Sequence, residues 1–302
     1  MFILDGKKVR DEIAKMLRRK VEAFSPRPML VILQVGENKE SSAYIAQKKK
    51  FGEKIGVIVG HLLVPETVSE EKLIAQIKEL NADREVHGII VQLPLPQALS
   101  PESIINAVAP EKDSDGLTRA NEELFREGRP RFVPATARGI VELLEHYRVP
   151  IAGKKAAVLG RSRLVGAPTA LLLKKKGALV TVCHSQTPNV SAVTRASDII
   201  IVATGKPKLV NDAYVRSDKT QTIVDVGITA VTDKGEERLE EEVPKKKLVG
   251  DVDFERIKDK VAAISPVPGG VGPMTVAALF ENLVEAWYDT KKRMSTNATK
   301  TY

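Results

Sequence analysis

The stretch Val158-Leu159-Gly160-Arg161-Ser162-Arg163-Leu164-Val165-Gly166-Ala167-Pro168 decides the fold. A buried apolar strand, Lys154–Leu159, runs into a glycine turn, and a helix over Gly166–Lys175 opens at the second glycine. Glycine lets a backbone approach a pyrophosphate, and the amides at a helix N-terminus favour its charge. Ser162 stands where the common dinucleotide turn has its middle glycine, so the pattern is met only in part. An ordinary strand-turn-helix junction is the competing reading, and the flanking sequence favours the dinucleotide one. Strands are expected at Ala178–Cys183, Asp198–Thr204 and Gln221–Val226, with Leu248–Val249 and Val261–Ile264 completing a parallel sheet.

Upstream the same alternation recurs. Val9–Phe24, Ser41–Glu53 and Ser69–Leu80 have helical periodicity, while Leu30–Val35, Gly56–Val64 and Gly88–Leu93 read as strands. The strand runs are continuously apolar, as in a parallel sheet covered on both faces. Residues 111–134 are polar and rich in turn formers, and a helix over Ala137–Tyr147 leads into the second unit. The spacing predicts an α/β protein of two domains with parallel sheets, facing each other across a cleft, the second domain Rossmann-like. A long helix follows the loop at 265–273, with Pro273 at its first position. It rests either on its own domain or back on the first.

The length of 302 residues agrees with two domains at about 150 residues each. One cysteine, Cys183, excludes a disulfide-stapled scaffold and a multi-cysteine zinc module. The four histidines show no metal-ligand spacing, so no metal is expected. The net charge of +8 invites polyanionic partners without choosing among them. Residues 291–302 carry four basic and no acidic side chains, leaving +4 for the rest, and read as a disordered basic tail. No run of about 20 apolar residues suits a membrane, and the amino end turns amphipathic at once, so a cytoplasmic protein is expected. Basic-aromatic interleaving of the RNA-binding kind is missing, so nucleic acid is not expected as a partner.

Several polar residues are candidates for chemistry. Tyr44 and Lys48 are four apart, hence on one helix face, a spacing that also suits a plain surface contact. A partly desolvated lysine amine can carry a proton. Gln92 interrupts an apolar strand near its carboxyl end, where parallel sheets bind ligands. Asp113 and Asp115, beside Gly116, are either turn formers or carboxylates that bind an amine. Strand Ala178–Cys183 ends in His184-Ser185-Gln186-Thr187 with no acid to repel a 2′-phosphate, and Arg161 and Arg163 lie in the turn, which favours NADP over NAD.

The segments VGENKESSAYIAQKKK (35–50), GIIVQLPLP (88–96), PEKDSDG (110–116), GRSRLVGAPTALLL (160–173) and SPVPGGVGPMTVAALFENLVEA (265–286) together resemble the bifunctional methylenetetrahydrofolate dehydrogenase/methenyltetrahydrofolate cyclohydrolase family. TVCHSQT (181–187), DIIIVATGKP (198–207) and VDVGI (224–228) extend the likeness over roughly residues 1–290. The resemblance implies NADP-dependent oxidation of 5,10-methylenetetrahydrofolate, then hydrolysis to 10-formyltetrahydrofolate. It implies Lys48, Gln92 and Tyr44 as catalytic residues, and Ser41, Tyr44, Asp115, Gly270 and Pro273 as substrate-binding ones. For the cofactor it implies Gly160, Arg161, Ser162, Gly166, His184, Ser185, Thr204, Gly205 and Ile228. It further implies a folate-binding domain over 1–135 with helix 272–290 packed back on it, an NADP-binding domain over 136–271, and a homodimer paired through the latter. The folate substrate can carry a polyglutamate chain. Ala135 and Ala137 depart from the Cys and Pro common in the family, and Asn121–Leu124 lacks a glycine often found there. Two other classes stay open on the residues alone: another two-domain NADP-dependent dehydrogenase acting on a small carbonyl substrate, and a non-catalytic anion- or nucleic-acid-binding protein.

Overall fold

A computed structural model describes residues 2–23, 25–232 and 246–298. In chain order the first elements are β1 (Phe2–Ile3), α1 (Gly6–Glu22), β2 (Met29–Val35), α2 (Lys39–Ile55), β3 (Ile58–Val64), α3 (Glu70–Ala82) and β4 (Gly88–Val91). Helices α4 (Pro101–Asn106), α5 (Arg119–Arg126) and α6 (Ala135–His146) follow, then β5 (Lys155–Leu159), α7 (Gly166–Lys175), β6 (Leu179–Cys183), α8 (Val190–Arg195), β7 (Ile199–Val202) and β8 (Thr222–Asp225). The last are β9 (Thr229–Thr232), β10 (Lys246–Val249), α9 (Phe254–Ile257), β11 (Ala263–Ile264) and α10 (Val271–Ala298). The chain divides into two compact units, one of Met1–Val9 with Thr136–Thr275, the other of Arg10–Ala135 with Val276–Tyr302.

In the Arg10–Ala135 unit a three-stranded parallel sheet has the order β3-β2-β4. Successive side chains of β2 point to opposite faces. Leu30 and Ile32 enter a core with α1, α2 and α10, including Leu17, Phe51, Ile55, Phe280 and Val284. Val31, Leu33 and Val35 enter a second core with Leu73 and Ile77 of α3 and Ile104 and Ile105 of α4. Both faces are covered, which is why the strand is apolar at every position but Gln34. Phe51 and Phe280 meet with ring centroids 5.2 Å apart, and each buried side chain of this size contributes roughly 1.5–3 kcal/mol.

The Thr136–Thr275 unit holds a six-stranded parallel sheet of order β1-β11-β8-β7-β5-β6. The order departs in opposite directions from β5, so the loops after β5 and β7 flank the crevice at a topological switch point. One expectation fails here. Leu248–Val249 does not join this sheet: β10 pairs antiparallel with β9 in a two-stranded ribbon, Val249 opposite Thr229. The place at the sheet edge is taken by β1, where Phe2 pairs with Ala263. Two consecutive apolar residues state that a strand exists, not which strand it pairs with.

Helix α10 starts at Val271, two residues before the expected Pro273, whose missing N–H falls in the first turn where intrahelical partners are lacking anyway. It continues to Ala298, so residues 291–298 are helical rather than a disordered tail; no Gly or Pro interrupts that stretch. Residues 299–302 lie outside the described residues. The polar stretch 111–134 contains α5, capped where Thr118 Oγ1 accepts from Asn121 N at 3.4 Å, so no glycine is needed at Asn121–Leu124. Ala135 and Ala137 are buried in the first turn of α6, where a proline would also be accommodated at the third position.

Candidate active site

Helix α2 carries Ser41, Tyr44 and Lys48 at i, i+3 and i+7, a single stripe. Ser41 is buried, and Tyr44 and Lys48 are half-buried. The Lys48 Nζ donates to Gln92 Oε1 at 3.0 Å. Gln92 follows β4 directly; its backbone N–H donates to Leu33 O at 2.8 Å, and its Nε2 donates to Leu93 O at 2.8 Å. That second bond turns the amide oxygen toward the lysine. Burial holds the Lys48 ammonium below its ordinary pKa, against the opposing pull of the Asp115 charge. Burial in turn raises the Asp115 carboxyl above its ordinary value, with Lys48 opposing and Asp113 adding to the rise.

Asp115 sits in a loop fixed from three sides. Ile89 N of β4 donates to Lys112 O at 2.7 Å. The Asp113 carboxylate accepts from Leu117 N (3.1 Å), Thr118 N (2.8 Å) and Asn121 Nδ2 (2.8 Å). From α10, the buried Asn282 Nδ2 donates to Ser114 O and Val133 O, both at 2.9 Å. Asp113 is therefore the turn former. Among the described residues no hydrogen-bond donor reaches the Asp115 carboxylate.

In the other unit the turn after β5 has the backbone its glycines demand. Gly160 has φ +111°, and a Cβ there would lie 2.1 Å from Ala203 O; one on Gly166 would lie 2.2 Å from Gly160 O. Ser162 explains its own presence: Gly166 N donates to its Oγ at 3.3 Å and Ala167 N to its carbonyl at 3.0 Å, so it ties the turn to the first residues of α7. Arg161 is exposed. At the end of β6, His184 Nδ1 accepts from Gln186 N at 3.2 Å, so the neutral ring carries its proton on Nε2; Ser185 beside it is exposed. Thr204 and Gly205 follow β7. Ile228 lies near the start of α10, 3.6 Å from where a Cβ on Gly272 would be. Gly270 and Pro273 are buried in this unit, which does not contain Lys48, Gln92 and Asp115. The crevice suits a dinucleotide: glycines where any side chain would collide, and no acid at the end of β6.

Two residues escaped sequence reasoning. Asp225 and Asp251 are buried at 3% and 0% exposure, behind the Thr204–Gly205 turn. Their signal was an acid beside a glycine inside an apolar run, in VDVG (224–227) and VGDV (249–252).

An α/β unit with a dinucleotide turn, joined to a unit with a half-buried lysine, a buried amide and a half-buried carboxyl, defines a nicotinamide-nucleotide-linked enzyme of two parts. The family model "Tetrahydrofolate dehydrogenase/cyclohydrolase, catalytic domain" matches residues 4–115, and that family's NAD(P)-binding domain matches residues 134–291. "Bifunctional protein FolD" of Exiguobacterium sibiricum is 39% identical over 292 residues, covering 94% of this chain and 98% of that protein. The bifunctional FolD methylenetetrahydrofolate dehydrogenase/cyclohydrolase of Campylobacter jejuni is 37% identical with a TM-score of 0.87, covering 96% of this chain and 99% of that one. FolD of Trypanosoma brucei, solved with NADP cofactor and inhibitor, is 36% identical with a TM-score of 0.88, covering 97% and 99%. The chain belongs to the tetrahydrofolate dehydrogenase/cyclohydrolase family.

Proposed function

We propose that the chain oxidises 5,10-methylenetetrahydrofolate with NADP⁺ and hydrolyses the 5,10-methenyltetrahydrofolate so formed to 10-formyltetrahydrofolate. The observation that carries this reading is the Lys48 amine, desolvated and held 3.0 Å from Gln92 Oε1 in the unit that matches the catalytic domain. NADP⁺, when bound, supplies the hydride acceptor for the first step. The folate nitrogens stabilise the cation left behind, so the protein's task there is placement. Gly160, Ser162 and Gly166 hold the pyrophosphate end, with Thr204, Gly205 and Ile228 further along the crevice. Arg161, Ser185 and the His184 Nε2–H offer donors to a 2′-phosphate. Gly270 and Pro273 shape the loop that follows β11.

In the second step water adds to the methenyl carbon, and the C–N5 bond then breaks. One proton leaves to solvent and one ends on N5. A neutral Lys48 amine takes the first, and burial lowers its pKa in the direction a base requires. Gln92 Oε1 engages an N–H of that amine and so leaves its lone pair facing the substrate. Asp115 accepts from the amino-pyrimidinone edge, Tyr44 stacks on the folate, and Ser41 contributes a hydroxyl on the same stripe.

Formation of NADPH on mixing the protein with methylenetetrahydrofolate and NADP⁺ tests the first activity. Lys48→Met tests the second: hydrolysis of methenyltetrahydrofolate should fall by about 10²-fold or more while folate binding persists. Normal hydrolysis by that variant would sink the role of Lys48. Among the described residues no helix is long and apolar enough to cross a membrane, which agrees with a cytoplasmic place. β6 is the outer strand of its sheet and Leu179 on it is 62% exposed, which supports pairing of two copies through this unit. The basic balance suits a folate with a polyglutamate chain.

A further inference from the structure

Behind the β7 loop, Asp251 makes an arrangement that the reaction itself does not use. Its Oδ2 accepts three hydrogen bonds, from Thr204 N (2.6 Å), Thr204 Oγ1 (2.9 Å) and Gly205 N (2.8 Å). All three donors come from the turn that borders the crevice at the switch point between β5 and β7. The other oxygen, Oδ1, is buried without a hydrogen bond and would lie 2.1 Å from a Cβ on Gly227. Asp251 is itself fixed: its backbone N–H donates to Asp225 Oδ1 at 3.0 Å, and its carbonyl accepts from Val210 N at 3.0 Å. A second buried carboxyl, Asp225, is anchored in turn by Gly227 N (3.0 Å), Val252 N (2.9 Å) and Ser265, whose Oγ accepts from Asp225 N at 2.8 Å.

A fully buried carboxylate is costly unless its hydrogen bonds repay the desolvation. Three converging donors on one oxygen do so, and charge-assisted bonds are roughly twice as strong as neutral ones. They also consume both turn amides and the threonine hydroxyl, giving this short loop one conformation. We propose that Asp251 is a positioning residue for the nicotinamide dinucleotide: it presets the Thr204–Gly205 turn from behind and raises affinity without touching the ligand. The inference rests on the NADP reading given above.

The test is direct titration of NADP⁺ into the full chain by calorimetry, with steady-state kinetics alongside. Asp251→Asn keeps the shape but removes the charge, and should raise the NADP⁺ dissociation constant about tenfold, with KM following and kcat at saturation largely retained. Thr204→Val keeps both backbone donors and should weaken binding less. In an Asp251→Ala background, Thr204→Val should have almost no further effect, because the hydroxyl has lost its partner. The Thr204 and Gly205 amide protons, shifted downfield by the carboxylate, should move upfield in Asp251→Asn. A purely structural role would lower the melting temperature while leaving the dissociation constant and the coupling with Thr204 unmoved, and that result would overturn the proposal. Failure of the wild-type chain to bind NADP⁺ would overturn the functional reading itself. Tight binding by wild type and Asp251→Asn alike would overturn only the role of Asp251.

Discussion

Replacing Asp225 by asparagine should change how the stability of the Thr136–Thr275 unit depends on pH. Asp225 is 3% exposed, and burial, with the neighbouring Asp251 charge adding, pushes its carboxyl up to about 7 against 3.8 for a free aspartate. The hydrogen bonds from Val252, Asp251 and Gly227 amides pull the other way and are outweighed. Because the folded value lies above the unfolded one, the folded chain holds a proton that the unfolded chain has released between about pH 4 and 7. The associated stability is complete below pH 3.8 and is lost as pH rises through about 7. The gap corresponds to about 4 kcal/mol between the two limits at 1.36 kcal/mol per pH unit, of which about 2–3 kcal/mol falls between pH 5 and pH 8. Asparagine cannot titrate, and its amide, set against backbone donors, costs roughly 1–3 kcal/mol at every pH. The difference between wild type and Asp225→Asn should therefore drift by about 2–3 kcal/mol in favour of the variant from pH 5 to pH 8. The sole tryptophan, Trp287, belongs to the other unit and is the wrong probe. Hydrogen exchange of the β8 amides, corrected for intrinsic rates at each pH, reads the right one. Parallel stability curves for the two proteins would refute the reasoning.

The charge of Asp115 works against the lowering of the Lys48 pKa, so Asp115→Asn should move the pH inflection of methenyltetrahydrofolate hydrolysis further down; an upward move or none would contradict the coupling. Arg161→Ala should raise the KM for NADP⁺ more than that for NAD⁺, since only the former carries the 2′-phosphate; equal changes in steady-state assays would remove Arg161 from that role. Asn282→Ala strands the buried carbonyls of Ser114 and Val133 and should cost about 1–3 kcal/mol, seen as a fall in melting temperature. It should also raise the folate KM, because the loop bearing Asp115 loses its tie to α10; an unchanged KM would separate that tie from binding.

The features legible in the sequence were those whose cause is local. The unbroken apolar run Met29–Leu33 of β2 follows from cores on both its faces, and Gly160 and Gly166 follow from backbone carbonyls that leave no room for a Cβ. The residues alone marked Lys48, beside Tyr44 on one helix face, and Gln92 at the end of a buried strand as separate candidates; only the family resemblance paired them. What stayed hidden depends on distant partners. Phe2–Ile3 joins a sheet only because β11, some 260 residues on, offers an edge, and the β9–β10 ribbon arises from a pairing that two apolar residues do not specify. Asp225 and Asp251 carried no role in the sequence because most of their donors come from other loops.

The same residue type takes opposite roles at short range, and the count of donors decides which. Asp113 and Asp115 are two residues apart, and either could bind an amine on sequence alone. Asp113 has taken three donors, two from its own loop and one from α5, so a ligand amine would have to displace bonds already made. Asp115 has taken none among the described residues, and its charge is balanced only at a distance by Lys48. Leaving a half-buried carboxyl so placed costs stability that a better-packed residue would not. A ligand whose N–H groups complete it recovers that cost on binding, which is binding energy prepared in advance. Asp251 spends its donors inward, on the turn, and so acts on a ligand only through geometry. Had Asp251 lacked those three donors it would resemble Asp115, a group awaiting a ligand; because it has them, the effect of the Thr204 hydroxyl on NADP⁺ must vanish once Asp251 is removed, which is what the double substitution measures.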